Sequence, residues 1–181
     1  MTRSHTILLA VLVSITGVFS LAPSAFAQTA TETVSLIRQD CTGYTSCYTS
    51  LSAWEAARQR DLVAANQTEV ARIEGTWTNA DTAPLSISGW TTDATRYIRI
   101  YTAPEARHAG VWSASRYRIS APTFSGVIQI LQSNVIVDGL QVENTRNDSN
   151  SPDGITSYTA VSNVTMKDNI VRYSGTNTTV G

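Results

Sequence analysis

Lysine is almost missing from this chain, since Lys167 is its only example, and charged residues of every kind make up just 15% of the sequence. With 13 Lys+Arg against 14 Asp+Glu, there is no basic field to hold a phosphate backbone, which excludes nucleic acid as a partner. Cysteine is limited to Cys41 and Cys47. Two thiols are too few for zinc without further ligands, but they suit one small disulfide around Thr42-Gly43-Tyr44-Thr45-Ser46. Histidine is limited to His5 and His108, so beyond the leader any His-based metal cluster or Ser/His/Asp arrangement rests on His108 alone. Long apolar runs are missing after residue 27, and no membrane span is expected in the mature chain. The one such run, Ile7 to Ala22, follows Arg3 and His5 and ends in Ala25-Phe26-Ala27. Residues 1–27 therefore read as a secretory signal, and the mature protein as secreted or cell-surface, extracellular or periplasmic.

What is present in quantity is a repeat. Ser133-Asn134-Val135-Ile136-Val137-Asp138-Gly139-Leu140-Gln141-Val142-Glu143 returns twenty-nine residues later as Ser162-Asn163-Val164-Thr165-Met166-Lys167-Asp168-Asn169-Ile170-Val171-Arg172. Apolar residues coincide at Val135/Val164, Val137/Met166 and Val142/Val171, with period-two alternation inside each copy. Strands that recur at a fixed interval build a stacked coil. In that register Asp138 meets Lys167 and Glu143 meets Arg172, so outward positions that would repel if filled alike carry opposite signs. Asn134 and Asn163 precede the strand in each copy, where a bend favours left-handed backbone and amides can bond along the stack. Leu140/Asn169 breaks the inward set, and an Asn there needs backbone partners from a neighbouring coil.

Upstream the pattern loosens. Tyr97-Ile98-Arg99-Ile100-Tyr101 precedes the Ile128/Ile130 pair by about thirty residues, and Leu85-Ser86-Ile87 precedes Tyr117-Arg118-Ile119 by a similar interval, giving three short strands per coil. Residues 28–50 are rich in Ser and Thr and read as an irregular lead-in that contains the disulfide. A helix begins at Ser52, with Glu55 completing a capping box, and stops at Asn66. Residues 51–181 then comprise this capping helix and the first coils. The chain reaches Gly181 with no second cap, which predicts truncation, further coils, and self-association through an open coil edge.

The helix Thr49-Ser50-Leu51-Ser52-Ala53-Trp54-Glu55-Ala56-Ala57, followed by Asn-Val-x-Val-x-Gly-Leu-x-Val and Asn-Val-Thr-Met-x-x-Asn-x-Val coils, resembles the pectin lyase-like right-handed parallel β-helix superfamily over residues 49–175. Gly89-Trp90-Thr91-Thr92-Asp93-Ala94-Thr95-Arg96-Tyr97-Ile98 is similar to a segment of its uncharacterised exported members. The resemblance implies an all-β right-handed parallel β-helix with an N-terminal capping helix, and polysaccharide as the partner. The Asp-Asp pair, Gly-His-Gly and Arg-x-Lys elements of the polygalacturonases are not found in this sequence.

Three sets of residues are candidates for chemistry. Asp138 and Asp168 fall in the bends of successive coils, where two carboxylates facing one cleft would serve acid and base roles in glycoside hydrolysis; Lys167 and Arg146 offer them structural partners. His108, beside Arg107 and Trp112 on a loop, suits proton abstraction from a uronate with an aromatic stacking face. Asp148, Asn150 and Asp153, with Gly154 following, offer hard oxygen ligands for Ca²⁺, although Pro152 and Thr159 break the EF-hand spacing. Trp77 and Trp90 read as packing residues. Two functions stay open: a non-catalytic glycan- or surface-binding protein, preferred for the residues seen, and a polysaccharide lyase or glycoside hydrolase of acidic glycans whose catalytic residues lie largely in missing coils.

Overall fold

The computed structural model describes residues 29–147, 153–158 and 160–175. Their regular structure is mostly strand: β1 (Thr31–Ile37), β2 (Cys47–Tyr48), β3 (Gln67–Ile73), β4 (Leu85–Ile87), β5 (Ile98–Thr102), β6 (Ile119–Ala121), β7 (Ile128–Ile130), β8 (Val135–Asp138), β9 (Gln141–Asn144), β10 (Ile155–Ser157), β11 (Val164–Lys167) and β12 (Ile170–Tyr173). The two helices are short, α1 (Leu51–Arg58) and α2 (Leu62–Ala65). Every strand pairing is parallel. The strands form three sheets, ordered β11-β8-β5-β3-β1-β2, β10-β7-β4 and β12-β9-β6. From β4 onward the chain visits the second, first and third sheets in strict rotation.

Alternation within each strand produces the core. In β5, Ile98, Ile100 and Thr102 are buried while Arg99 and Tyr101 between them are partly exposed. Register then stacks like on like: Ile98 lies beside Val135, which lies beside Val164, and Ile100 is followed by Val137 and Met166. The second sheet does the same with Ile128 between Leu85 and Ile155. Each fully buried Ile or Val contributes roughly 1.5–3 kcal/mol. Parallel strands require every connection to cross over, so the turns decide how closely successive strands follow one another.

Several turn positions behave as the repeat requires. Asn134 and Asn163 are left-handed, with φ of 59° and 55°, and the Asn163 Nδ2 donates to Asn134 Oδ1 at 3.0 Å. Asp168, at φ 52°, stands where Gly139, at φ 79°, stands one copy earlier. Asn169 enters the inward set with both amide atoms occupied: its Oδ1 accepts from the Leu140 N–H at 2.9 Å, and its Nδ2 donates to the Val137 carbonyl at 3.0 Å. Lys167 stands beside Asp138 and Arg172 beside Glu143, as the charge pattern predicts.

The upstream intervals differ from those the sequence suggests. β5 pairs with β3 and β8, not with the Ile128–Ile130 strand, whose partners are β4 and β10. Likewise β4 and β6 lie in different sheets. The cause is unequal connections: residues 103–118 join β5 to β6, whereas only 139–140 join β8 to β9. A constant count of residues cannot find the same sheet when the turns change length. Residues 28–50 also hold more order than expected, because β1 pairs with β3 along seven residues and β2 continues the sheet edge.

The helix begins earlier than Ser52. Ser50 is the N-cap, accepting from the Ala53 N–H at 3.0 Å, and Gln59 ends α1 before Asp61 starts α2. Glu55 closes no capping box. It is buried and accepts from the Ser88 N–H and the Trp90 Nε1–H. Asn66 does end α2 in a left-handed C-cap. α1 packs on β4, the terminal strand of its sheet, and on β1 and β2. Trp54 is fully buried there, 5.9 Å from Trp90 between ring centroids. Beneath it Glu69, fully buried, takes hydrogen bonds from Arg58, Trp54 and Ser35, and pairs with Arg60 at 2.6 Å. The Cys41–Cys47 disulfide forms as expected.

Truncating Ile100 to Ala in the middle of the first sheet should cost about 2–5 kcal/mol, whereas Ile136→Ala on the outward row should cost about 1 kcal/mol or less. Urea unfolding of the two variants measures the contrast, and equal losses would contradict the inward and outward assignment.

Candidate functional site

The long connection 103–118 positions the residues of greatest chemical interest. Its extra length carries it across the bends of the next two passes through the first sheet. It is anchored at both ends by groups that leave little freedom. The Arg107 N–H donates to the Ala103 carbonyl at 2.9 Å, and the Tyr117 N–H to the Ala106 carbonyl at 3.0 Å. The buried Gln141 side chain accepts from the Ser113 N–H at 2.6 Å and donates to the carbonyls of Ser113 and Tyr117. Tyr117 is buried edge-on to Trp77 at 4.8 Å, and its hydroxyl donates to Asp81. Burial pushes the Asp81 carboxyl up from its ordinary range, and hydrogen bonds from the Leu51 and Ala83 amides and Tyr117 oppose that rise.

Held this way, the loop brings Asp138, Asp168 and His108 together. One Arg107 nitrogen donates to Asp138 Oδ1 at 2.7 Å and to Asp168 Oδ2 at 3.0 Å, while Lys167 Nζ lies 3.2 Å from the other Asp138 oxygen. Burial alone would raise the Asp138 pKa. Hydrogen bonds and charge from Arg107 and Lys167 outweigh it and hold that carboxyl below the usual aspartate range. The His108 ring has partners on both sides. Its Nδ1 accepts from the Gly110 N–H at 3.1 Å, which assigns the proton to Nε2, 2.8 Å from the Asp168 carbonyl. A cleft of about 460 Å³ opens beside this cluster, lined by Arg107, His108, Gly110, Asp168, Asn169 and Ile170.

This geometry limits the chemistry on offer. Acid–base hydrolysis needs one carboxyl kept protonated and another kept free, their environments pushing them apart. Here one guanidinium is shared by both. The histidine is likewise engaged on both ring nitrogens, by the Asp168 carbonyl and the Gly110 N–H. A similar arrangement repeats on the third sheet. Glu143, despite a burial that works upward, is held below its ordinary pKa by hydrogen bonds from Ser174, Ser120 and Arg172. Arg172 in turn stacks over the Trp112 ring at 3.6 Å.

Of the remaining candidates, Asp148 and Asn150 lie outside the described residues, as do residues 1–27, read above as a secretory signal. Asp153 is exposed, and its backbone carbonyl accepts from Asn144 Nδ2 at 2.9 Å. Among the described residues no group of three or more His, Cys, Asp or Glu side chains could hold a metal ion. No helix among them is long and apolar enough to cross a membrane. Trp77 and Trp90 are buried packing residues. Asp168 pairs with Arg107, sixty-one residues away, a partner that strand spacing cannot reveal. Sequence reasoning also did not single out Arg99 and Ile136 on the outward face of the first sheet, although the alternation in Tyr97-Ile98-Arg99-Ile100-Tyr101 carries the signal for the first of them. Comparison with protein-family models, with curated proteins and with solved structures finds no match for this chain.

Two measurements probe the cluster. Gly139 is left-handed, and a Cβ there would collide with the Arg107 guanidinium, while Gly43, also left-handed, has open space around it. Gly139→Ala should therefore lose about 1–3 kcal/mol and exceed the loss in Gly43→Ala, read by chemical denaturation. For Asp138, a pKa lowered in the folded state means that its stabilisation is present above the ordinary aspartate value and is lost as pH falls through the folded one. The stability gap between wild type and Asp138→Asn should narrow below about pH 4, and a gap independent of pH would contradict the pairing.

Proposed function

We propose that this chain is an exported protein of the pectin lyase-like right-handed parallel β-helix type, capped by its N-terminal helix, that binds polysaccharide without cleaving it. The rotation of strands through three parallel sheets supports the β-helix reading, and so do α1 against the terminal strands and the in-register Asn134/Asn163 amides. Export is supported by the leader in residues 1–27 and by the Cys41–Cys47 disulfide, a bond that persists in oxidising compartments. Such a scaffold displays rows of outward side chains at regular spacing, which suits an extended, repetitive partner.

The observation that carries the non-catalytic reading is the single guanidinium of Arg107 shared by Asp138 and Asp168. It engages both carboxylates and, with Lys167, holds Asp138 ionised, whereas a glycosidase needs one of the pair kept protonated. The competing reading, a lyase or hydrolase of acidic glycans, requires groups other than these. Incubation of the full chain with polyuronates, with and without Ca²⁺, tests the choice. Retention on the polysaccharide with neither unsaturated products nor new reducing ends is the expected result. Turnover in either assay would overturn the non-catalytic assignment.

A further inference from the structure

We propose that His108 is a pH-sensitive fastener: its neutral ring ties residues 108–112 to the bend between β11 and β12, and protonation in weak acid releases that segment. The inference stands on its own geometry and is independent of the binding function proposed above.

The segment is a strap between two fixed points. On one side Ala106 is buried and the Arg107 N–H is bonded to the Ala103 carbonyl. On the other, the buried Gln141 side chain holds the Ser113 N–H at 2.6 Å. Between them residues 109–111 are exposed, Val111 at 69%, and they belong to no strand or helix. Gly110 is left-handed, with φ of 84°, and has open space where a side chain would stand, which suits a hinge. A stretch with so few partners opens at low cost, so the bonds that fasten it decide where it lies. Movement about Gly110 would carry Trp112, whose ring now lies against the Arg172 guanidinium at 3.6 Å.

His108 makes two bonds that only a neutral imidazole can make together. Its Nε2 donates to the Asp168 carbonyl at 2.8 Å, and its Nδ1 accepts from the Gly110 N–H at 3.1 Å. Uptake of a proton turns Nδ1 into a donor, two N–H groups then face each other, and the Gly110 bond is lost. Charge acts in the same direction. With the ring neutral, Arg107 on the same connection and Lys167 at the end of β11 are balanced by Asp138 at the end of β8 and Asp168 in the bend. Arg172, farther along against Trp112, is matched by Glu143 at 2.7 Å. An imidazolium adds a third positive charge to the balanced four, and whatever attraction it finds in the Asp168 carboxylate is taken from Arg107. The cleft of about 460 Å³ beside the ring gives water access to it. Imidazole is the side chain that changes charge in weak acid without a special environment, and His108 is the only histidine outside residues 1–27.

The test is an NMR titration of the full chain from about pH 8 to about pH 5, the range in which imidazole changes charge. The Gly110 amide and Trp112 indole N–H signals should shift with the same midpoint as the His108 ring. Protection of the Gly110 amide against hydrogen exchange, corrected for the intrinsic rate at each pH, should fall by about tenfold. The Ser113 amide, held by Gln141, should keep its protection, which separates release of the strap from general unfolding. In His108→Gln, which stays uncharged throughout, the Gly110 and Trp112 signals should not respond over this range. The shared midpoint in the wild type needs no substitution and tests the proposal even where that variant fails to fold. A ring that titrates without moving either signal, a ring that takes up no proton in this range, loss of Ser113 protection together with that of Gly110, or a response that survives in His108→Gln would each overturn the proposal.

Discussion

Parallel register is the constraint on which the rest of the structure depends. Each strand of the first sheet lies on its neighbour with inward residues over inward residues, so Ile98, Val135 and Val164 form one row, and Ile100, Val137 and Met166 the next. A slip of one residue would turn every apolar side chain outward and every charged one inward. Several secondary features enforce the same alignment. The left-handed Asn134 and Asn163 fix where the strands begin, and the opposite charges of Asp138 and Lys167, or Glu143 and Arg172, reward the correct offset. The amide of Asn169 completes the set by bonding to two backbone groups of the preceding pass. Each of these interactions is individually small, but all of them favour the same offset.

Once register is set, the length of each connection decides what the surface does. Two-residue turns at 139–140 and 168–169 keep the strands tightly stacked. The connection 103–118 has no such economy, and its surplus lies across the later bends. It delivers Arg107 to two aspartates at once, Trp112 to Arg172, and Ser113 to the buried Gln141. Asp138, Asp168 and His108 are thereby brought into one set of ion pairs and hydrogen bonds between successive passes. In the adjacent outward row of the first sheet Arg99 has no carboxylate in salt-bridge range among the described residues and lies over the Tyr101 ring.

The last two passes were the most legible part of the chain. Their period of twenty-nine, the in-register pairing of their apolar residues, both ion pairs, the left-handed Asn positions and the role of Asn169 all follow from alternation and charge, because neighbouring passes there have equal connections, although Met166 and Val171 on the last pass are exposed. The burial of Trp77 and Trp90, the stop at Asn66 and the disulfide were legible for similarly local reasons. The upstream stacking was not. The same counting rule places Ile98 with Ile128, whereas the chain joins Ile98 to Val135, since loop length and not residue number determines the return to a sheet. β1 was hidden by its Thr and Ser content, as its β-branched threonines and small polar residues resemble a linker until β3 supplies a partner.

What the sequence determined by itself was therefore periodic: which residues face inward, which bends are left-handed, and which charges meet between adjacent passes, all set by interactions within or between equal repeats. Only the tertiary structure decided that Arg107 clasps Asp138 and Asp168, that Glu69 is buried beneath Trp54 between Arg58 and Arg60, and that Arg99 has no carboxylate in range among the described residues. Those outcomes depend on where long connections of unequal length come to rest. Their path is fixed by packing across the whole stack, and no local pattern encodes it.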